Sequence, residues 1–418
     1  MFGIRLGACV GLAALVLGTQ SPALASGGPS APQKLVIGVD HVDAANQNES
    51  AHRWFEYTDF FSRDVSVHRG EVLDFRFAAG EQGHAIALAP GQAVARQVYP
   101  LATPDSDDPP SVASGKSKLA LGPSNFVITG GSTQGGGQIG SDPSGGDRPC
   151  GVMPLPDCTF NGGNDIEASG PIVGSDASDN PETIDWRIQI DPKTPTGSYA
   201  FLCFFHPGMQ GRFQVVDKDD RSSNQATVDA ISNVQFQVDR ALAVAAEAQA
   251  NVLRFDGGSP GNRTYHVTVG TTTADDHASV LEMLPQHLDL VEGDKVSYSW
   301  RQATNEAHSV SFPSDGANLP GVAVFDCGTS FQVIGSGPPC TDDGAAPEVI
   351  FDPGTSPPGS PLTSAAALVD SGILVGSAYN FPSAQTWSVS TNGTTATGTY
   401  QYHCQIHDLM QGTLNVHH

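Results

Sequence analysis

The chain has 418 residues, 44 acidic against 20 basic side chains, and a formal net charge of −24. Neutralising phosphates needs clustered Lys and Arg, so this balance excludes nucleic-acid binding through a general basic surface. With 47 Gly, 30 Pro and 15% charged residues, long loops are expected rather than a helical bundle, and the length suits two or three domains, each with its own core.

Met1 to Arg5 is a short basic start, Gly7 to Gly18 is an apolar run too short for an ordinary membrane span, and Ala23-Leu24-Ala25 supplies small residues at a cleavage site. Residues 1–25 read as a secretory signal peptide, so the mature chain is expected to be exported, periplasmic or extracellular, without a transmembrane span. Cys9 is a poor lipoprotein cysteine, because the apolar run follows it. Six cysteines remain: Cys150, Cys158 and Cys203, then Cys327, Cys340 and Cys404.

That spacing announces an internal repeat. Gly197 to Val215 aligns without gaps on Gly398 to Val416, sharing Gly, Tyr, Cys, His, Met, Gln, Gly and Val at eight of nineteen positions. In the same register Trp186 falls on Trp387, and Asp64 to Phe77 matches His287 to Trp300 with Gly70 on Gly293. His84 falls on His308 after one residue of adjustment. The two copies span 33–218 and 263–418, with a helical linker at 222–256 between them.

Both copies read as β. Leu73, Phe75 and Phe77 alternate with polar neighbours, as do Val296, Tyr298 and Trp300, which is the period of a half-buried strand. Several short strands separated by turn residues favour sandwiches, so the fold class is all-β with one helix. From about Thr103 to Asn180, and from about Pro313 to Pro361, Gly, Pro, Ser and Asp dominate. These stretches are expected to be loop insertions, and in an oxidising compartment Cys150–Cys158 and Cys327–Cys340 are their natural disulfides. Within Asn224 to Arg254, Ile231, Val234, Val238, Ala241, Ala245, Ala248 and Val252 share one face. This predicts an amphipathic helix that packs that stripe on its own domains, the alternative being a partner helix across a dimer.

With the disulfides assigned, Cys203 and Cys404 are left over, each opening a Cys-x-x-His-x-x-Met loop: Cys203, His206, Met209 and Cys404, His407, Met410. One thiolate, two imidazoles and a weak thioether are the ligand set of a blue-copper site, and the upstream His84 and His308 supply the second imidazole in each copy. Zinc shares the Cys and His types, but a Met kept in both copies is a poor zinc ligand. His41, His52, His68, His266, His277 and His287 are scattered singly and read as solvated or hydrogen-bonded residues.

These motifs resemble the cupredoxins of the plastocyanin/azurin family, and the short loop, with Pro207 after the His in the first copy, is most similar to amicyanin. The resemblance implies two Greek-key β-sandwiches and two type 1 coppers cycling between Cu(I) and Cu(II). His84, Cys203 and His206 would be the strong ligands of the first, with Met209 axial; His308, Cys404 and His407 those of the second, with Met410 axial. It also implies that His206 and His407 lie nearest the surface and serve as electron ports. The expected activity is single-electron transfer with an unidentified redox protein rather than catalysis. Copper nitrite reductases and multicopper oxidases are the enzymatic alternative, but the chain has no His-x-His pair, and His403 beside Cys404 has Leu202 as its counterpart. A copper-binding scaffold is the third reading. Phe204 and Phe205 against Gln405 and Ile406 predict unequal potentials at the two coppers.

Overall fold

Alternation of apolar and polar side chains lets a strand bury one face, and two such sheets close over a shared core. In the computed structural model the described residues are 33–48, 51–77, 83–89, 102–103, 117–121, 157–162, 167–173, 185–203, 206, 209–300, 307–313, 324–326, 331–333, 348–351, 356–372, 374–375, 386–392, 397–404, 407 and 409–418. The first half stacks two five-stranded sheets. One runs 158–160, 185–190, 72–77, 34–39, 60–61, and the other 167–173, 83–89, 197–203, 210–216, 64–68. Leu35, Ile37, Leu73, Phe75, Trp186 and Ile188 from the first sheet meet Val67, Ile86, Leu88, Phe201 and Phe213 from the second, all fully buried.

The second half repeats this plan. Strand 264–272 runs parallel to 295–299, as 34–39 does to 72–77, and 287–291 runs parallel to 411–417, as 64–68 does to 210–216. Val267, Tyr298, Phe312, Val389, Tyr402 and Leu414 form its core. The structure is thus mainly β, with several sheets, one helix among the described residues, and two sandwiches of cupredoxin type.

The halves are joined by more than a linker. Strand 53–56 of the first half pairs antiparallel with 279–284 of the second, setting Phe55 opposite Val280 and Glu56 opposite Ser279. Helix Gln225–Ala250 lies against this junction, begun by Asn224, whose Oδ1 accepts the Thr227 N–H at 3.0 Å. Phe236, Ala243 and Ala250 pack with Phe55, Tyr57, Phe61, Val280 and Leu284. Arg63 donates to both Asp239 carboxylate oxygens at 2.8 Å, and Arg53 donates to Glu247.

Here the helix corrects the sequence expectation. The stripe expected to face the core is outward: Ile231 is 43% exposed, Val234 62%, Val238 50% and Val252 52%. The opposite face is buried because small Ala243 and Ala250 let the helix approach closely, and because Asp239 and Glu247 meet their arginines there. Periodicity reports that a face is apolar, and not which of two faces finds a partner.

The first insertion is also more structured than expected. Strand 158–160 extends one sheet of the sandwich and 167–173 the other, the latter pairing with 83–89. The sequence Glu167-Ala-Ser-Gly-Pro-Ile-Val lacks a period-two pattern, so pairing and not local alternation makes it a strand. Strand 117–121 of the first insertion pairs with 348–351 of the second, Leu119 opposite Val349. The free thiols among the described residues are Cys203 and Cys404. Cys158 is buried on its strand, while Cys150, Cys327 and Cys340 lie outside the described residues, and the expected disulfides with them. The signal peptide lies outside as well. Among the described residues no helix is long and apolar enough to cross a membrane.

Candidate metal centres

At one end of each sandwich, two strands and a short loop bring their donors together. Strand 197–203 delivers Cys203 beside strand 83–89, with Cys203 opposite Ile86 and His84 two residues earlier. The loop then folds back on itself: the Cys203 N–H donates to the Met209 carbonyl at 2.9 Å, and the Met209 N–H to the His206 carbonyl at 3.0 Å. In the second half the Cys404 N–H donates to the Met410 carbonyl at 2.9 Å, and the Met410 N–H to the His407 carbonyl at 2.9 Å. The seven-residue spacing is therefore that of a closed turn, tied at both ends by backbone hydrogen bonds to and from the Met.

In the first centre the Cys203 Sγ lies 3.5 Å from His206 Nδ1 and 3.8 Å from His84 Nδ1. In the second, Cys404 Sγ lies 3.8 Å from His407 Nδ1, and His407 Nδ1 is 3.1 Å from His308 Nδ1. The Ser309 N–H donates to Cys404 Sγ at 3.3 Å. In each group the donor atoms of Cys and both His lie within 4.8 Å of one another. Met209 and Met410 are fully buried. The structure thus brings together His84, Cys203 and His206 in one cluster and His308, Cys404 and His407 in another, with Met209 and Met410 closing their loops.

Burial tunes the imidazoles. It pushes His206 down to about 3 and His407 down to about 3, and it holds His308 well below the usual imidazole value, with His407 adding to the effect. These rings are neutral at neutral pH, with lone pairs to offer a metal. All four imidazoles are buried, and in each centre the loop histidine is slightly the more exposed: His206 3% against His84 2%, and His407 6% against His308 0%.

The donor set is soft, buried and preassembled, with the Nδ1 nitrogens turned inward, and it fits copper better than a hard cation, which takes oxygen ligands. Two sandwiches, each ending in a buried His-Cys-His-Met group, make this chain a duplicated cupredoxin fold whose two groups are consistent with two type 1 copper sites.

No protein-family model matches the chain, and no curated protein does. Among solved structures, a dithionite-reduced auracyanin from Roseiflexus castenholzii is 18% identical, covering 45% of this chain and 100% of its own, with a TM-score of 0.21. A copper-containing nitrite reductase from Thermus scotoductus is 12% identical over 94% of this chain and 69% of its own, with a TM-score of 0.20. A blue copper oxidase from Nitrosomonas europaea is 9% identical over 92% and 86%, with a TM-score of 0.18. Overlaps this low carry no weight beside the chain's own strand ladders and donor groups.

His403 is half-buried, lies opposite Ser311, and joins no cluster of His, Cys, Asp or Glu among the described residues. The scattered histidines have other partners: His41 stacks on Phe236 at 3.6 Å, His266 meets Asp256 at 2.9 Å and His277 faces Asp59 at 3.4 Å. Phe204, Phe205, Gln405 and Ile406 lie outside the described residues, as does the contrast drawn from them.

Sequence reasoning missed four positions around the centres. Ser169 Oγ accepts the Ile86 N–H at 2.9 Å, and Ser371 Oγ accepts the Val310 N–H at 2.8 Å, so each serine pins the strand just past the upstream histidine. A Ser-Gly step at both places, Ser169-Gly170 and Ser371-Gly372, was the available signal. The other two, Asp40 and Glu56, join His84 in a third buried cluster. Burial pushes Asp40 up to about 6, while burial followed by the Asp40 charge raises Glu56 well above the usual range.

Proposed function

We propose that this chain is an exported two-centre blue-copper protein that passes single electrons to and from a redox protein, without catalysing a reaction of its own. The observation that carries this reading is the duplicated His-Cys-His-Met group, buried and preassembled in both sandwiches. Copper bound there would supply a one-electron couple between Cu(I) and Cu(II). The chain's own residues do the rest. Cys203 and Cys404 offer the thiolate, the paired imidazoles hold the remaining strong positions, and the closed loops keep donor spacing constant. Fully buried Met209 and Met410 keep water away. A site that barely rearranges between oxidation states exchanges electrons readily.

Export agrees with the signal-peptide pattern of residues 1–25. The acidic net charge of −24 suits a partner with a basic docking face.

The deciding measurement is copper stoichiometry with visible absorption and electron paramagnetic resonance on the mature chain, on Cys203→Ser and on Cys404→Ser. Two coppers with thiolate charge transfer, each lost with its own cysteine, support the carrier. A third copper without thiolate character, together with turnover of nitrite or oxygen, would overturn it in favour of an enzyme. Zinc or no metal would leave a scaffold.

A further inference from the structure

The two centres share their donors but not the residue behind the upstream histidine. Lys34 sits opposite Val72 and Thr264 opposite Lys295 in equivalent parallel ladders, and Gly70 falls on Gly293, so Asp40 and Gly270 occupy the same place in the two sandwiches. Both have left-handed backbone, with φ of 62° at Asp40 and 65° at Gly270. Glycine adopts that conformation freely, and Asp is one of the few other residues that enter it, by bonding the local backbone, so the first copy can place a carboxyl where the second has no side chain.

The side chain is well placed. Asp40 Oδ1 accepts the His41 N–H at 2.5 Å and the Tyr57 N–H at 3.2 Å, which orients the carboxylate and leaves Oδ2 3.9 Å from His84 Nε2. Glu56, anchored by the Trp54 indole N–H at 2.9 Å, brings a second carboxyl into the same cluster. Asp40 is 3% exposed, and Glu56 is fully buried. At Gly270 there is no room for such a group, because a Cβ would lie 2.3 Å from His308 Nε2. The His308 ring fills that space. Neither His84 Nε2 nor His308 Nε2 is within hydrogen-bond distance of a partner among the described residues, so what sets the first centre apart is the carboxylate facing Nε2 across 3.9 Å.

We infer that Asp40 is a positioning residue for His84. Its Oδ2 keeps the proton on Nε2 and Nδ1 turned to Cys203, and its carboxylate makes the first centre prefer Cu(II) over Cu(I) more strongly than the second, which has Gly270 instead. Carboxylates behind metal-binding imidazoles set ring tautomer and basicity in this way. The inference rests on the copper reading of the centres.

The test uses the full mature chain carrying Cys404→Ser, so that Cys203 holds the remaining thiolate centre, and measures its reduction midpoint with Asp40 and with Asp40→Asn. The variant is expected to weaken the Cu(II) preference about tenfold, a rise of about 59 mV for one electron. In the Cys203→Ser background, Asp40→Asn should leave the second centre's midpoint where it was. A metal-free readout accompanies this: ring-nitrogen chemical shifts should show His84 protonated at Nε2 with Asp40 and mixed in Asp40→Asn, with His308 unchanged. If Asp40→Asn does not fold, Asp40→Gly, which suits the left-handed backbone and copies the second centre, carries the same expectations. An unmoved midpoint at the first centre, equal shifts at both, or an unaltered His84 tautomer would overturn the inference. No copper at Cys203 in the Cys404→Ser chain would instead overturn the copper reading and the potential difference with it, and the tautomer measurement would still decide the positioning role.

Discussion

In the first sandwich the Phe201 ring lies across Gly211 on the neighbouring strand; in the second, Tyr402 lies across Gly412. A Cβ would stand 2.1 Å from the Phe201 ring at Gly211 and 2.3 Å from the Tyr402 ring at Gly412, so both glycines are places where a ring needs a missing side chain. The surrounding aromatics keep their poses too. Phe75 meets Phe201 edge-on at 5.3 Å and 69°, and Tyr298 meets Tyr402 at 5.3 Å and 73°. Trp186 and Trp387 flank them in the two halves.

What differs is the polar content. The second sandwich carries hydroxyls on Tyr298 and Tyr402, and the buried pair Ser311 and Asp370 on strands where the first sets Ala87 opposite Ala168. The comparison teaches that donors and glycines stay alike in both copies because each has a geometric duty, while residues asked only to fill volume have drifted, some toward polarity.

The hardest test of that equivalence is to remove the rings. Phe201→Ala and Tyr402→Ala should each destabilise their sandwich by about 3–5 kcal/mol in denaturant unfolding; a near-neutral result in one half would mean that the ring there is not central. Adding the missing Cβ is milder. Gly211→Ala and Gly412→Ala should each lose about 1–3 kcal/mol through overpacking, and similar values would confirm that the two glycines serve the same purpose.

A pH-dependent contribution should also come from the Ser311–Asp370 pair, which the first sandwich lacks at the equivalent place. Burial pushes Asp370 from 3.8 up to about 7, so between those values the folded chain holds a proton that the unfolded chain has released. Its contribution to stability is complete below about pH 4 and is lost as pH rises through 7. Asp370→Asn should therefore flatten the fall in unfolding midpoint between about pH 4 and about pH 7, and an unchanged slope would remove Asp370 from the account. The smallest effect is expected from Tyr298→Phe with Tyr402→Phe, which makes the second core resemble the first. Losing both buried hydroxyls together should change stability by less than about 1 kcal/mol or raise it slightly, as read from thermal unfolding.

The ligand sets were legible because three of their donors are neighbours in sequence: Cys203, His206 and Met209, and again Cys404, His407 and Met410. The duplication made a short motif persuasive, and strand alternation around Phe75 and Tyr298 was enough for the sandwich class. Asp40 was not legible beside His84, since a parallel ladder and a left-handed turn bring them together. Neither was the strand 53–56 that crosses into the second half, whose pattern names no partner.

Local chemistry, then, was written in the sequence: which residues carry the donor atoms, that the unit occurs twice, and that a helix follows the first copy. Which helix face is buried, how the insertions pair, and why the two centres differ were decided only in the tertiary structure. The reason is physical: donor type and strand period are properties of short segments, whereas burial, charge environment and the space behind a ring depend on which distant segments pack together.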